Sequence, residues 1–211
     1  LNHQMNKTLE SIAQAIFKQW FVDFEFPGYE KTKIVDGLPE GWCQGALGDI
    51  VIIESGKRPG EKSEIKTHDL NVPLIGASSV MGFVKDALYK EPILIIGRVG
   101  THGIVQRVTG PSFPSDNTLV IKSKYFEYTY QILKTIDYDS LNVGTTQPLI
   151  TQTTIKKYDI LIPSDDVLRK FETCISELFN KIVANNQESE SLIEIRDSLL
   201  PRLMSGKIRI N

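Results

Sequence analysis

"DDVLRKFETCISELFNKIVANNQESESLIEIRDSLL" runs from Asp165 to Leu200. Leu168, Phe171, Ile175, Leu178 and Ile182 recur in it at steps of three, four, three and four, the seam of a heptad helix. Ser164 or Asp165 serves as the N-cap, and acids in the first turn suit the positive end of the helix dipole. The seam continues through Asn185 and Ser189 to Leu192 and Leu199, just before Pro201. A helix over 165–199 is on the order of 50 Å long. One small domain cannot bury such a rod, so it calls for a helical partner. Asn185 and Ser189 weaken the seam, yet polar residues there can fix register and partner choice. The alternative is a surface helix with a polar interruption.

A second helix lies at the other end of the chain. Met5, Leu9, Ile12, Ile16 and Trp20 form one stripe, and Pro27-Gly28 stops it. Asn2, Gln4, Thr8, Leu9, Ile12 and Ile16 match Asn185, Gln187, Ser191, Leu192, Ile195 and Leu199 at a constant offset. One helix has been used twice, on either side of the middle of the chain. Leu1 stands inside the amphipathic pattern, as expected for a piece of a longer protein rather than a signal peptide.

Between the helices the character changes. A turn-rich passage, including "DGLPEGW" (Asp36–Trp42), leads into short apolar runs: "DIVII" (49–53), "VPLIG" (72–76), "PILIIG" (92–97), "GIV" (103–105), "NTLVI" (117–121) and "YDILIP" (158–163). Glycine, proline and polar residues punctuate them, the pattern of strands joined by loops. "EYTYQILKTI" (127–136) reads as the one clear helix of this region. The fold class is therefore α+β, a compact β-rich domain flanked by long helices.

With 211 residues, 41% of them hydrophobic, the chain suits one domain with extensions or two small ones. No stretch approaches the roughly 20 apolar residues that span a bilayer, so no membrane partner is expected. Cys43 and Cys174 lack metal-ligand spacing and read as reduced thiols of a cytoplasmic protein. A net charge of −2 argues mildly against a free-standing nucleic-acid binder. Paired cations at Lys57-Arg58, Lys122/Lys124 and Lys156-Lys157 still allow a locally basic face.

Catalytic readings fare poorly. "SGKRPGEKS" (Ser55–Ser63) imitates a phosphate loop, but Gly56 and Gly60 stand too close together and Glu61 would repel a phosphate. Pro59 removes an amide donor from the same loop. Glu64-Ile65-Lys66, with Asp49 upstream, satisfies a terse nuclease element that arises constantly by chance. His3, His68 and His102 have no nucleophile or carboxylate in a recognisable motif, and no glycine-rich turn announces a dinucleotide. Neither a cofactor nor a metal is expected.

Binding fares better. Loops 55–62, 76–82, 97–103, 112–118 and 142–154 combine glycine with Ser, Thr, Asn, Gln, Lys and Arg, a set that donates to phosphates and reads base edges. The candidate DNA-binding residues are Lys57, Arg58, Lys62, Ser78, Ser79, Arg98, Thr101, His102, Asn117, Thr145, Thr146 and Gln147. Gln147, Gln152 or Asn117 can pair with adenine, and Arg58 or Arg98 with guanine. The plainer reading is that turn-rich loops are polar in any protein.

"AQAIFKQWFVDFE" (13–25), "LPEGW" (38–42) followed by "LGDI" (47–50), "GRVGTHG" (97–103), "NTLVI", "GTTQPLITQTTIKKYDILIP" (144–163) and "RDSLLPRLMSGKIRI" (196–210) resemble the specificity subunits of type I restriction–modification enzymes. The resemblance covers nearly the whole chain in the family's order. It implies two target-recognition domains on two helices that pack as an antiparallel coiled-coil spacer, each domain reading half of a split target. Residues 1–26 then end the central helix, 27–41 link, 42–163 form the second recognition domain, 164–205 the C-terminal helix and 206–211 a tail. Methylation and cleavage belong to other subunits in that family, so a non-enzymatic chain is implied.

The implied partners are double-stranded DNA, modification subunits, a restriction subunit, and either the first half of the specificity subunit or a second copy as a homodimer. Leu9, Ile12, Ile16, Trp20, Leu168, Phe171, Ile175, Leu178, Ile182, Leu192 and Leu199 are the candidate subunit-interface residues. Phe17, Trp20, Phe21 and Phe179 are candidate docking aromatics or ordinary core. The competing class is a protein-interaction module that uses its helices only for assembly.

Overall fold

The structure, a computed structural model, describes residues 1–99, 103–141 and 149–205. The chain divides into a helical unit, 1–25 with 173–211, and a β-rich head, 26–172. It is a mixed α/β protein.

In the head, β1 (Ile34–Val35) and β2 (Leu38–Pro39) form a small hairpin, and β3 (Cys43–Ala46) pairs antiparallel with β11 (Asp159–Ile162). The main sheet has the order β4 (Val51–Ser55), β10 (Thr118–Ser123), β7 (Ile93–Gly97), β8 (Val105–Val108), antiparallel throughout. A second sheet has the order β6 (Val80–Val84), β5 (Val72–Ile75), β9 (Phe113–Pro114), with β5 and β9 parallel.

Ile93–Ile96 and Leu119–Ile121 are buried residue after residue, so these strands are covered on both faces. Val120, Ile93 and Ile95 cluster with Ile75 of the second sheet and with Tyr89. Helix α2 (Phe126–Thr135) packs on β7, β8 and β10. No side chain of its own N-cap caps it; the Glu172 carboxylate instead accepts the amides of Glu127 and Tyr128 at 3.0 and 2.9 Å. Helix α3 (Gln152–Lys156) packs on β4 and on the turn at 47–49.

Helix α4 (Asp165–Met204) takes its first intrahelical bond from Leu168 N to Ser164 O and continues through Pro201. Leu168 and Phe171 are buried in the head, where the Phe171 ring meets Tyr128 edge-on at 6.4 Å. These two members of the seam are head core.

In the helical unit, α1 (Asn2–Phe21) lies against α4, with Asn2 beside Ser189 and Asn6 beside Asn185. Asn2 Nδ2 donates to Asn185 O and Ser189 Oγ, whereas Asn6, one turn on, meets Asn185 and Asn186. The two asparagines that begin the internal repeat are therefore in contact. The buried face of α1 is Asn6, Ala13, Phe17, Trp20 and Phe21; Leu9 and Ile16 are half-buried and Ile12 is 41% exposed. The stripe is rotated from the one the large aliphatics mark, because an asparagine and an alanine hold its centre. On α4, Ile175, Phe179, Ile182 and Asn185 are buried and Leu178 is half-buried, while Leu192 (56%) and Leu199 (38%) are exposed. Among the described residues no helix is long and apolar enough to cross a membrane.

Asn185 is 1% exposed, and its Nδ2 donates to Asn6 Oδ1 at 2.8 Å. Asn185→Ala strands that buried acceptor and is expected to cost about 1–3 kcal/mol in urea unfolding. Asn6→Leu combined with Asn185→Leu should recover the loss.

Candidate nucleic-acid interface

Antiparallel pairing on both sides of β10 brings several loops to one end of the head. Leu119 faces Ser55, Thr118 faces Gly97, and Ile96 faces Val105. The end of β4, the start of β10, the end of β7 and the start of β8 therefore lie together. In the second sheet Ile75 faces both Pro114 and Val80, so the 76–79 turn and the end of β9 arrive at the same place.

Long-range hydrogen bonds fasten these loops. Gly56 N donates to Thr118 O at 3.1 Å and Lys57 N to Pro114 O at 3.0 Å. Ser115 N donates to Ile75 O, Arg98 N to Asn117 O, and Ile150 N to Arg98 O, each at 2.9 Å. A Cβ on Gly56 would stand 2.1 Å from Ser115 O and 2.6 Å from Pro114 O. Only glycine lets the 56–58 segment cross this close to β9.

Lys57, Arg58, Ser78, Ser79 and Asn117 project exposed from this end. Arg98 is half-buried, and its Nε is shielded from solvent without an acceptor among the described residues. Asp116, which composition did not single out, is exposed beside Asn117. Lys62 stands apart. Its neighbour Ser63 pairs with Phe83 on the outer edge of β6, beyond the 76–79 turn.

Gln152 is not available to adenine. In the orientation that satisfies both atoms, its amide donates to Ile53 O and accepts from Ser55 N, each at 3.2 Å, standing in for a missing strand on β4. Thr101, His102, Thr145, Thr146 and Gln147 lie outside the described residues.

The phosphate-loop and nuclease readings lose their geometry. The regular element after Gly56–Ser63 is β5, not the helix a nucleotide loop opens. Asp49 precedes β4 and accepts the Ala46 amide at 2.8 Å, whereas Glu64 and Lys66 follow the strand's other end.

A family model described as the type I restriction modification DNA specificity domain matches residues 39–194. This chain belongs to that family. The specificity subunit of the type I restriction enzyme MjaIX of Methanocaldococcus jannaschii is 30% identical over 98% of this chain and 54% of its own length. That of the enzyme HindI of Haemophilus influenzae is 25% identical over 99% of this chain and 63% of its own. The chain thus spans a little over half the length of these curated relatives. A crystal structure of a type I restriction–modification S subunit from M. genitalium shares the fold, with a TM-score of 0.70, 17% identity and coverage of 96% of this chain and 55% of that one.

Within this specificity domain, the face of β8 opposite Gln106 carries a buried charge cluster. Arg107 Nη2 donates to Glu127 Oε1 at 2.5 Å, and the guanidinium lies 5.2 Å from the Phe126 and Tyr130 ring centroids. Burial pushes the Glu127 carboxyl up to about 7, against the pull of Arg107 and with Glu172 adding repulsion. Burial also raises Glu172.

Two outcomes are expected. Below the ordinary carboxyl value of 4.5 both the folded and unfolded forms of Glu127 hold a proton; from there to about 7 only the folded form does. Stability therefore falls as pH rises through that window and levels off above it. Denaturant titrations across the window should give a flatter slope for Glu127→Gln. Gly56→Ala should cost about 1–3 kcal/mol, because backbone carbonyls, not flexible side chains, stand in the way of the added methyl.

Proposed function

We propose that this chain reads one half of a split DNA target and directs separate modification and restriction subunits to it, carrying no chemistry of its own. The observation that carries the reading is the convergence of Lys57, Arg58, Ser78, Ser79, Arg98 and Asn117 at one end of the head, in a chain of the specificity-domain family. The cations meet phosphates and set the register. Asn117 and Arg98 reach base edges, Asn117 toward adenine and Arg98 toward guanine, and Asp116 offers an acceptor to cytosine N4.

In this reading residues 42–163 are the recognition domain, joined through 27–41 to a spacer made of 1–26 and 164–205 as an antiparallel coiled coil. The spacer's length sets the half-site separation, as in dimeric DNA readers. A near-neutral chain suffices because the second half-site is met intramolecularly and the modification subunits supply further positive charge. The other reader is the first half of the subunit or a second copy of this chain, and the assembly works in the cytoplasm. Leu192, Ile195 and Leu199, exposed on α4, favour a helical partner there and also the competing assembly-module reading.

Exchanging this head for another in the whole complex should change one half of the methylated genomic motif; an unchanged motif would leave only the assembly module. In gel-shift titrations Lys57→Ala should weaken binding to every duplex and reduce the salt slope by about one. Asn117→Ala should instead cost about 1–3 kcal/mol on the target duplex alone.

A further inference from the structure

The 76–79 turn is held by a side chain outside the set of exposed candidates. Gly76 N donates to Ser79 O at 2.8 Å, which closes the turn on itself. Gly76 O accepts from Gln106 Nε2, also at 2.8 Å. Both polar groups of the Gly76 backbone are thus engaged, one inside the turn and one across to β8.

The β5–β6 ladder cannot fix this turn unaided. Its register shifts between Leu74 and Ile75, immediately before the turn. Such an irregularity bends a strand and re-aims the residues beyond the bend. A Cβ on Gly76 would fall 2.5 Å from Met81 Cγ and Sδ and 3.2 Å from Ser79 O, so the Met81 side chain lies across the turn with little room to spare. Gln106 belongs to the main sheet, opposite Ile95 of β7, and Gly76 comes directly after a strand of the second sheet. The amide bond therefore references the Ser78–Ser79 turn to the same sheet that delivers Arg98 and Asn117.

We propose that Gln106 is a positioning residue for target reading: by gripping Gly76 O it sets where the Ser78–Ser79 turn meets DNA. The proposal rests on the reading of this end of the head as the DNA surface. Phosphate contacts by flexible cations tolerate small displacements, whereas hydrogen bonds to base edges are directional. Loss of the Gln106 bond should therefore act on discrimination and spare general affinity.

The test uses the full-length protein containing this chain, assembled with its modification subunits. Target duplex and randomised duplex are titrated at one salt concentration, and melting temperature is followed. Gln106→Glu keeps the shape but has no donor for Gly76 O; Gln106→Leu keeps the packing. Both variants are expected to lose about tenfold on the target duplex while randomised-duplex binding stays at the wild-type value, and to melt a little lower because Gly76 O loses its donor. The proposal is overturned if both keep the wild-type target-to-random ratio while Lys57→Ala weakens binding, which leaves the DNA-surface reading standing. Parallel losses on both duplexes with a lowered melting temperature also overturn it, since Gln106 would then serve only the fold. Should Lys57→Ala and Ser78→Ala both bind as wild type, the surface reading falls and takes the proposal with it.

Discussion

Strand β10 is hydrogen-bonded along both sides, to β4 from Leu119 through Ser123 and to β7 from Thr118 through Ile121. That double pairing fixes more than the sheet. An antiparallel strand receives the end of each neighbour at its own start, so the loop after β4 and the loop after β7 must arrive where β10 begins. The turn before β10, closed by Thr118 N and Oγ1 on Ser115 O, then stands between them. Because Leu119, Val120 and Ile121 are all buried, a one-residue slip would send side chains to the wrong layer on both faces. The register is over-determined, and it dictates the placement of the exposed loops.

The strands that the amino-acid pattern discloses are short apolar runs, and the longest-buried of them have two covered faces. Ile93–Ile96 and Leu119–Ile121 are unbroken apolar runs because a layer covers each side, whereas β4 is apolar through Val51–Ile53 although Ile52 is 60% exposed. β6 was hidden inside a glycine- and serine-rich stretch, since Val80 and Met81 face outward and Gly82 passes against Ser63 O. α3 is a five-residue helix, too short to display a period. On α1 the hydrophobic pattern chose Ile12, yet the buried positions belong to Asn6 and Ala13. Hydropathy cannot see that Asn6 accepts from Asn185 and donates to Asn186, nor that a small residue admits a neighbouring helix.

The candidate surface was legible in part for a related reason. Composition marked loops rich in donors, and six of the marked side chains do converge. What composition cannot supply is which loops touch, because Lys57 with Pro114 and Arg98 with Asn117 are pairings set by distant register. Lys62 stands five residues from Lys57 in the chain, but its neighbour is bound to β6. Gln152 reads as free in the sequence, yet its amide completes the edge of β4. A glutamine reading adenine and one capping a strand edge use the same two groups, so only geometry separates them.

This arrangement also explains how the exposed side chains at this end of the head can change without endangering the fold. The contacts that hold its loops run mostly from backbone to backbone: Gly56 to Thr118, Lys57 to Pro114, Ser115 to Ile75, Arg98 to Asn117. Lys57, Arg58, Ser78, Ser79 and Asn117 project outward from that framework. Replacing them changes the chemistry offered to a ligand while every framework bond stays in place. Gly56 is different in kind, since any side chain there collides with the backbone framework itself, whereas at Gly76 it would first meet the Met81 side chain. Gln106 is different again, because it bonds to the turn through a side chain and not through the backbone. Changes at this end of the head divide by mechanism: those at the exposed tips alter the chemistry presented, and those at Gly56 and Gln106 act on the placement of the loops.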